Sequence, residues 1–66
     1  MNDSKTFANK LKDFINKYVE VKYQTGEVKV GQLIEVGKDY LVISNTEKHI
    51  IRLSEIKEVI ERTPPI

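Results

Sequence analysis

The chain has no cysteine and no tryptophan, only one histidine, two prolines and three glycines among its 66 residues. Without cysteine there is no disulfide, and with His49 as the sole imidazole a zinc site is not expected. A chain of this length buries only about 60% of the surface its unfolded form exposes, so its own core is thin. Small domains offset that with disulfides, a metal or association with copies of themselves. The first two are missing, which leaves self-association, and the lack of cysteine fits a reducing compartment. No apolar run approaches the roughly 20 residues of a membrane span, and MNDSKTFANK lacks the continuous apolar stretch of a secretory signal. The expectation is a soluble, cytoplasmic protein with no membrane partner. Neither sign of charge dominates: eleven basic and ten acidic residues leave a net +1, far from the balance of a dedicated duplex-DNA binder. Any nucleic-acid contact must therefore be local. Glycine-rich phosphate loops, metal-binding clusters and nucleophile motifs are also missing, and His49 has no carboxylate or serine at a recognisable spacing. No enzyme activity, cofactor or small-molecule substrate is expected.

What is present is a helix pattern followed by a succession of short strands. Asp3 and Ser4 are suitable helix caps, and Phe7, Leu11, Phe14, Ile15 and Tyr18 recur at spacings of three and four, one apolar helical face. Lys5, Asn9, Lys12 and Asn16 fall on the opposite face, with Lys10, Asp13 and Lys17 on its flanks. The spacing predicts a helix over about residues 4–17. From Val19 the period becomes two. Val19, Val21 and Tyr23 alternate with polar residues up to a turn at Thr25-Gly26, after which Val28 and Val30 point one way and Glu27 and Lys29 the other. Gly31 interrupts that run, and a mid-strand glycine marks a sharp bend or a close approach of two backbones. Leu33 and Val36 lead to a turn at Gly37-Lys38-Asp39, and Tyr40-Leu41-Val42-Ile43 reads as a buried strand. A polar loop at residues 44–48 precedes a fourth strand at 49–53, and Ser54-Glu55 turns into a fifth at 56–60. Residues 63–66, with Pro64 and Pro65, form an extended tail. A competing reading makes 53–62 a second helix capped by Ser54, because Leu53, Ile56, Val59 and Ile60 also fit helical spacing. The preferred reading is mainly β with one N-terminal helix: a single domain, 1–66, whose five antiparallel strands wrap a small, strongly bent barrel over about residues 19–61.

The segment Phe7-Ala8-Asn9-Lys10-Leu11-Lys12 resembles the F-x-N-x-L-[RK] helix that opens Hfq-like RNA chaperones. The run from Val21 through Gly26 to Gly31 is similar to the strand, turn and strand signature of the Sm-like superfamily, and Asp39-Tyr40 before an apolar triplet resembles the approach to that family's central strand. The resemblance spans nearly the whole chain. It departs in three places: Gly37 stands where Sm proteins usually carry aspartate, Ile51-Arg52-Leu53 replaces the Y-K-H segment of the chaperone's uridine pocket, and Arg52 lacks a following glycine. As a divergent Sm-like protein the chain is expected to form a homo-oligomeric ring that binds single-stranded RNA.

Within that resemblance, Tyr40 is the candidate stacking ring and Arg52 the candidate contact to phosphate or a base edge. Lys10, Lys12 and Lys17 correspond to a basic rim. Each has a plain counterpart: a tyrosine packed with its hydroxyl at the surface, an arginine paired with Glu47 or Glu58, and a solvated helix face. A second function class stays open, a small β adaptor that binds protein or only itself through its edge strands or apolar tail.

Overall fold

In the computed structural model residues 3–64 are described, with side chains from Phe7 onward. The side chains of Asp3, Ser4 and Lys5 and the tail residues Pro65 and Ile66 lie outside the described set. One helix, α1 (Asp3–Leu11), precedes five strands: β1 (Tyr18–Tyr23), β2 (Val28–Val36), β3 (Tyr40–Ser44), β4 (Lys48–Arg52) and β5 (Ile56–Glu61). All pair antiparallel in one sheet of order β4-β3-β2-β1-β5. The strands therefore begin and end within a residue or so of their expected places. The alternative helix over 53–62 is not formed: a 3-10 turn at Leu53–Glu55 leads directly into β5.

The helix is shorter than its apolar spacing predicts. Past Leu11 the chain tightens into a 3-10 turn (Lys12–Phe14), and Asn16 takes a left-handed φ of 73°, which asparagine tolerates better than most residues. The cause is tertiary. The Asn16 amide donates to the Leu33 carbonyl at 2.7 Å and the Leu33 amide to the Lys17 carbonyl at 2.9 Å, so residues 16–17 already pair with β2. Tyr18 consequently leaves the helix face assigned to it and starts β1, while Phe7, Phe14 and Ile15 pack partly buried against the core.

The core is built by Ala8, Leu11, Val19, Val21, Leu33, Leu41, Ile43, Ile51, Leu53 and Ile56. Burial of each larger side chain stabilises the fold by about 1.5–3 kcal/mol. Register decides which face of β2 turns inward. Val21 pairs with Lys29 and Val19 with Gly31, and paired residues share a face, so Lys29 and Gly31 face the core. Val28 and Val30 point away, and Val28 is 45% exposed.

Gly31 does mark a close approach. A Cβ built there would stand 2.9 Å from the Ser44 carbonyl oxygen. Beside it Gln32 is paired with both Tyr18 and Ser44, and a register shift between Leu33 and Glu35 leaves Ile34 as an extra residue. Glycine and bulge together bend β2, whose first half pairs with β1 and whose second half pairs with β3.

Curvature also follows from the last connection. Only Leu53–Glu55 separate β4 from β5, a reach of at most about 14 Å between flanking Cα atoms. In a flat sheet of five strands the edges stand about 19 Å apart. The sheet therefore curls until its edges approach at this end. The Leu53 amide donates to the Asp39 carbonyl, and the Gln24 amide to the Glu55 carbonyl, both at 2.9 Å. The sheet is nonetheless not closed, because β4 and β5 are its two edges and do not pair with each other.

Candidate nucleic-acid interface

Two of the five candidate residues come together. Tyr40 opens β3 and Arg52 ends β4, and the register sets them directly opposite each other. Their neighbours Leu41 and Ile51 are buried on the other face, so ring and guanidinium share the face turned away from the core. Arg52 is exposed. Neither Glu47 nor Glu58 forms an ion pair with it among the described residues.

The position of the Tyr40 ring depends on the turn before it. A Cβ at Gly37 would fall within that ring, so the missing side chain is what lets the tyrosine fold back over the turn. The Gly37 amide donates to the Tyr40 carbonyl at 2.8 Å, and the Tyr40 hydroxyl donates to Glu35 Oε2 at 2.5 Å. That hydrogen bond and the carboxylate's charge hold the Tyr40 pKa above its ordinary value of 10.0, with smaller contributions from burial and Asp39. The phenol is thus neutral and tied at one end, with one ring face toward Gly37.

Beside this pair, Asp39, Arg52, Leu53 and Ser54 line an open cleft of about 350 Å3. It lies where the turn between β2 and β3 meets the connection between β4 and β5, the junction made by the hydrogen bond from Leu53 to Asp39. Arg52 is its cation and Asp39 an opposing charge. A guanidinium and peptide groups at the cleft suit hydrogen bonding to an anion or a base edge, while the Tyr40 ring lies outside the cleft lining, over Gly37 and Glu35. The set contains no nucleophile with an adjacent base.

The lysines are dispersed. Lys10 in the last turn of α1 and Lys12 in the following 3-10 turn are exposed. Their helix packs against the 3-10 turn Leu53–Glu55, next to the cleft. Lys17 lies elsewhere, ahead of β1, with its ammonium 3.8 Å from the Glu61 carboxylate on β5. The expected rim therefore divides into two exposed lysines at the end of the helix and in the turn after it, and one that pairs with β5.

Glu35 carries no signal in the sequence, and Asp39 and Ser54 enter the sequence reading only as turn and cap residues, not as site residues. Glu35 precedes Tyr40 by five positions, a separation with no fixed meaning along a strand; the bulge at Ile34 and the turn at Gly37 bring the two together. Compared with known proteins, the chain matches no family model and no curated sequence.

Proposed function

We propose that the protein is a divergent Sm-like, homo-oligomeric binder of single-stranded RNA, with Tyr40 and Arg52 as the central contacts. The observation that supports this reading is the direct pairing of Tyr40 with Arg52 across β3 and β4, with Arg52 lining a cleft. An aromatic face supports about 1–3 kcal/mol of stacking per base and tolerates any sequence, while the guanidinium meets phosphate or a base edge. Lys10 and Lys12 add cations from the adjoining helix. The strand order and the three-residue link between β4 and β5 are compatible with a barrel that copies complete by pairing one chain's β4 edge with the next chain's β5 edge. Ile50 on β4 is 75% exposed and Ile60 on β5 is 37% exposed, so strand addition also covers apolar surface left open in one chain.

The test is fluorescence anisotropy with labelled oligouridylate and oligoadenylate across a salt series. Wild-type protein is expected to bind, more weakly as salt rises, and Arg52→Ala to weaken binding and flatten the salt dependence. Tyr40→Ala is expected to cost about tenfold in affinity. No binding at low salt by an oligomeric wild-type protein would remove the RNA reading.

A second reading is supported by the same exposed edges and by the net charge of +1: an adaptor that assembles with itself or with another protein by strand addition. Light scattering together with the absorbance ratio of purified protein separates the two. Assembly with bound nucleic acid favours the first reading, and assembly that neither carries nor binds nucleic acid favours the second.

A further inference from the structure

The outer edge of β4 is open, because β4 stands first in the strand order and pairs only with β3 among the described strands. The Leu53 amide donates to the Asp39 carbonyl, and the register continues as Arg52 with Tyr40 and Ile51 with Leu41. Hydrogen-bonded and non-bonded pairs alternate along an antiparallel ladder, so the peptide groups of His49 and Ile51 face β3 while those of Lys48, Ile50 and Arg52 face outward. The side chains of these three also share one face, opposite the buried Ile51. All three are exposed, Ile50 by 75%. Its cross-strand partner Val42 is only 7% exposed, so an apolar row on this face runs out to the edge and stops there. Neither Lys48 nor Arg52 forms an ion pair among the described residues.

An open edge accepts one more strand through its outward N–H and C=O groups. Opposite charges directly across antiparallel strands attract and like charges repel. The β4 edge presents cation, apolar, cation at alternate positions, and the strand that complements it carries acid, apolar, acid. A second copy does not supply that pattern. Antiparallel pairing of two β4 edges centred on Ile50 sets Lys48 against Arg52 twice. On β5 the Arg62 amide donates to the Tyr18 carbonyl, which by the same alternation leaves Val59 and Glu61 facing outward. Setting Val59 against Ile50 and Glu61 against Lys48 matches two positions and brings Lys57 to Arg52 at the third.

From this arrangement we infer that the β4 edge docks an extended segment of another protein in which acidic residues flank an apolar one at alternate positions. The inference rests on the adaptor reading above and gives it a surface and a partner chemistry. The test is fluorescence anisotropy of the full chain with a labelled, end-capped peptide T-E-T-V-T-E-T at low salt. Wild-type protein is expected to bind it about tenfold tighter than T-K-T-V-T-K-T and about threefold tighter than T-T-E-V-E-T-T, whose acids lie on the face opposite the valine. N-methylation of the valine amide should cost about tenfold, since it removes a ladder hydrogen bond. Ile50→Pro removes the outward N–H without touching the pairing with β3 and should cost about as much, in a variant that thermal melting shows to be folded. Lys48→Glu combined with Arg52→Glu should reverse the preference toward T-K-T-V-T-K-T. If T-T-E-V-E-T-T or the N-methylated peptide binds as tightly as T-E-T-V-T-E-T, charge alone accounts for binding and the docked strand is overturned. If wild-type protein assembles without nucleic acid but binds no peptide, the inference falls while the adaptor reading stands, and loss of that assembly in Ile50→Pro would assign the edge to a second copy. If it binds no peptide and assembles only with RNA bound, both fall.

Discussion

Gly31 and Gly37 are both glycines of β2 or its turn, and both are places where a Cβ does not fit, yet the obstacles differ in kind. At Gly31 the obstacle is the backbone of Ser44, on a strand held by hydrogen bonds along both sides. At Gly37 it is the ring of Tyr40, a side chain tied to the protein surface by one hydrogen bond. Backbone in mid-sheet has nowhere to move, whereas a surface ring can rotate. The first glycine is thus a requirement of the fold and the second a requirement of where the Tyr40 ring sits.

Substitutions sharpen that contrast. The largest effect belongs to the core beneath the bend: Leu33→Ala, at a fully buried position, is expected to lose about 2–5 kcal/mol in denaturant unfolding. Gly31→Ala should follow with a loss of about 1–3 kcal/mol, because its Cβ meets a carbonyl that hydrogen bonding holds in place. A loss as small as that of a surface substitution would show that β3 yields and would break the distinction between the two glycines. Gly37→Ala is expected to cost less than about 1 kcal/mol of stability, yet to displace Tyr40 and weaken RNA binding nearly as much as Tyr40→Ala.

The smallest expected effect concerns titration. Glu35→Gln weakens the hydrogen bond and removes the charge that together raise the Tyr40 pKa, so the phenol should titrate closer to the ordinary value of about 10, read by ultraviolet difference spectroscopy with Tyr40→Phe identifying the signal. The sign follows from linkage: a folded pKa above the unfolded one favours the protonated native state, so this contribution is full below pH about 10 and is lost as pH rises through the folded pKa. Glu35→Gln should therefore flatten the alkaline loss of stability.

Much of the strand layout was legible because its signals are local. Period-two alternation, glycine turns at Gly26 and Gly37 and the polar loop between β3 and β4 each act over a few residues, and all five strands appear where they predict. The helix end was not legible. Its apolar spacing continues to Tyr18, but hydrogen bonds joining Asn16 and Lys17 to Leu33 outweigh a weak local preference. Nor was the inward face of β2: alternation separates Val28 and Val30 from Lys29 without saying which side is buried, and pairing with Val19 and Val21 turns Lys29 and Gly31 inward.

The candidate sites divide in the same way. Tyr40 and Arg52 could be chosen from the sequence as an aromatic after a turn and a cation in a strand, but not that they stand opposite each other. Glu35 against Tyr40 carried no signal in linear spacing, and neither did the choice of Lys48, Ile50 and Arg52 as the β4 residues whose peptide groups face the open edge.

By itself the sequence determined the number of strands, their approximate limits and the position of the bend, since these depend on how single residues restrict φ, ψ and side-chain alternation. Tertiary structure decided which face of each strand is buried, where the helix stops and which side chains meet. Those outcomes depend on register between segments distant in the chain, and a one-residue slip in register reverses every face.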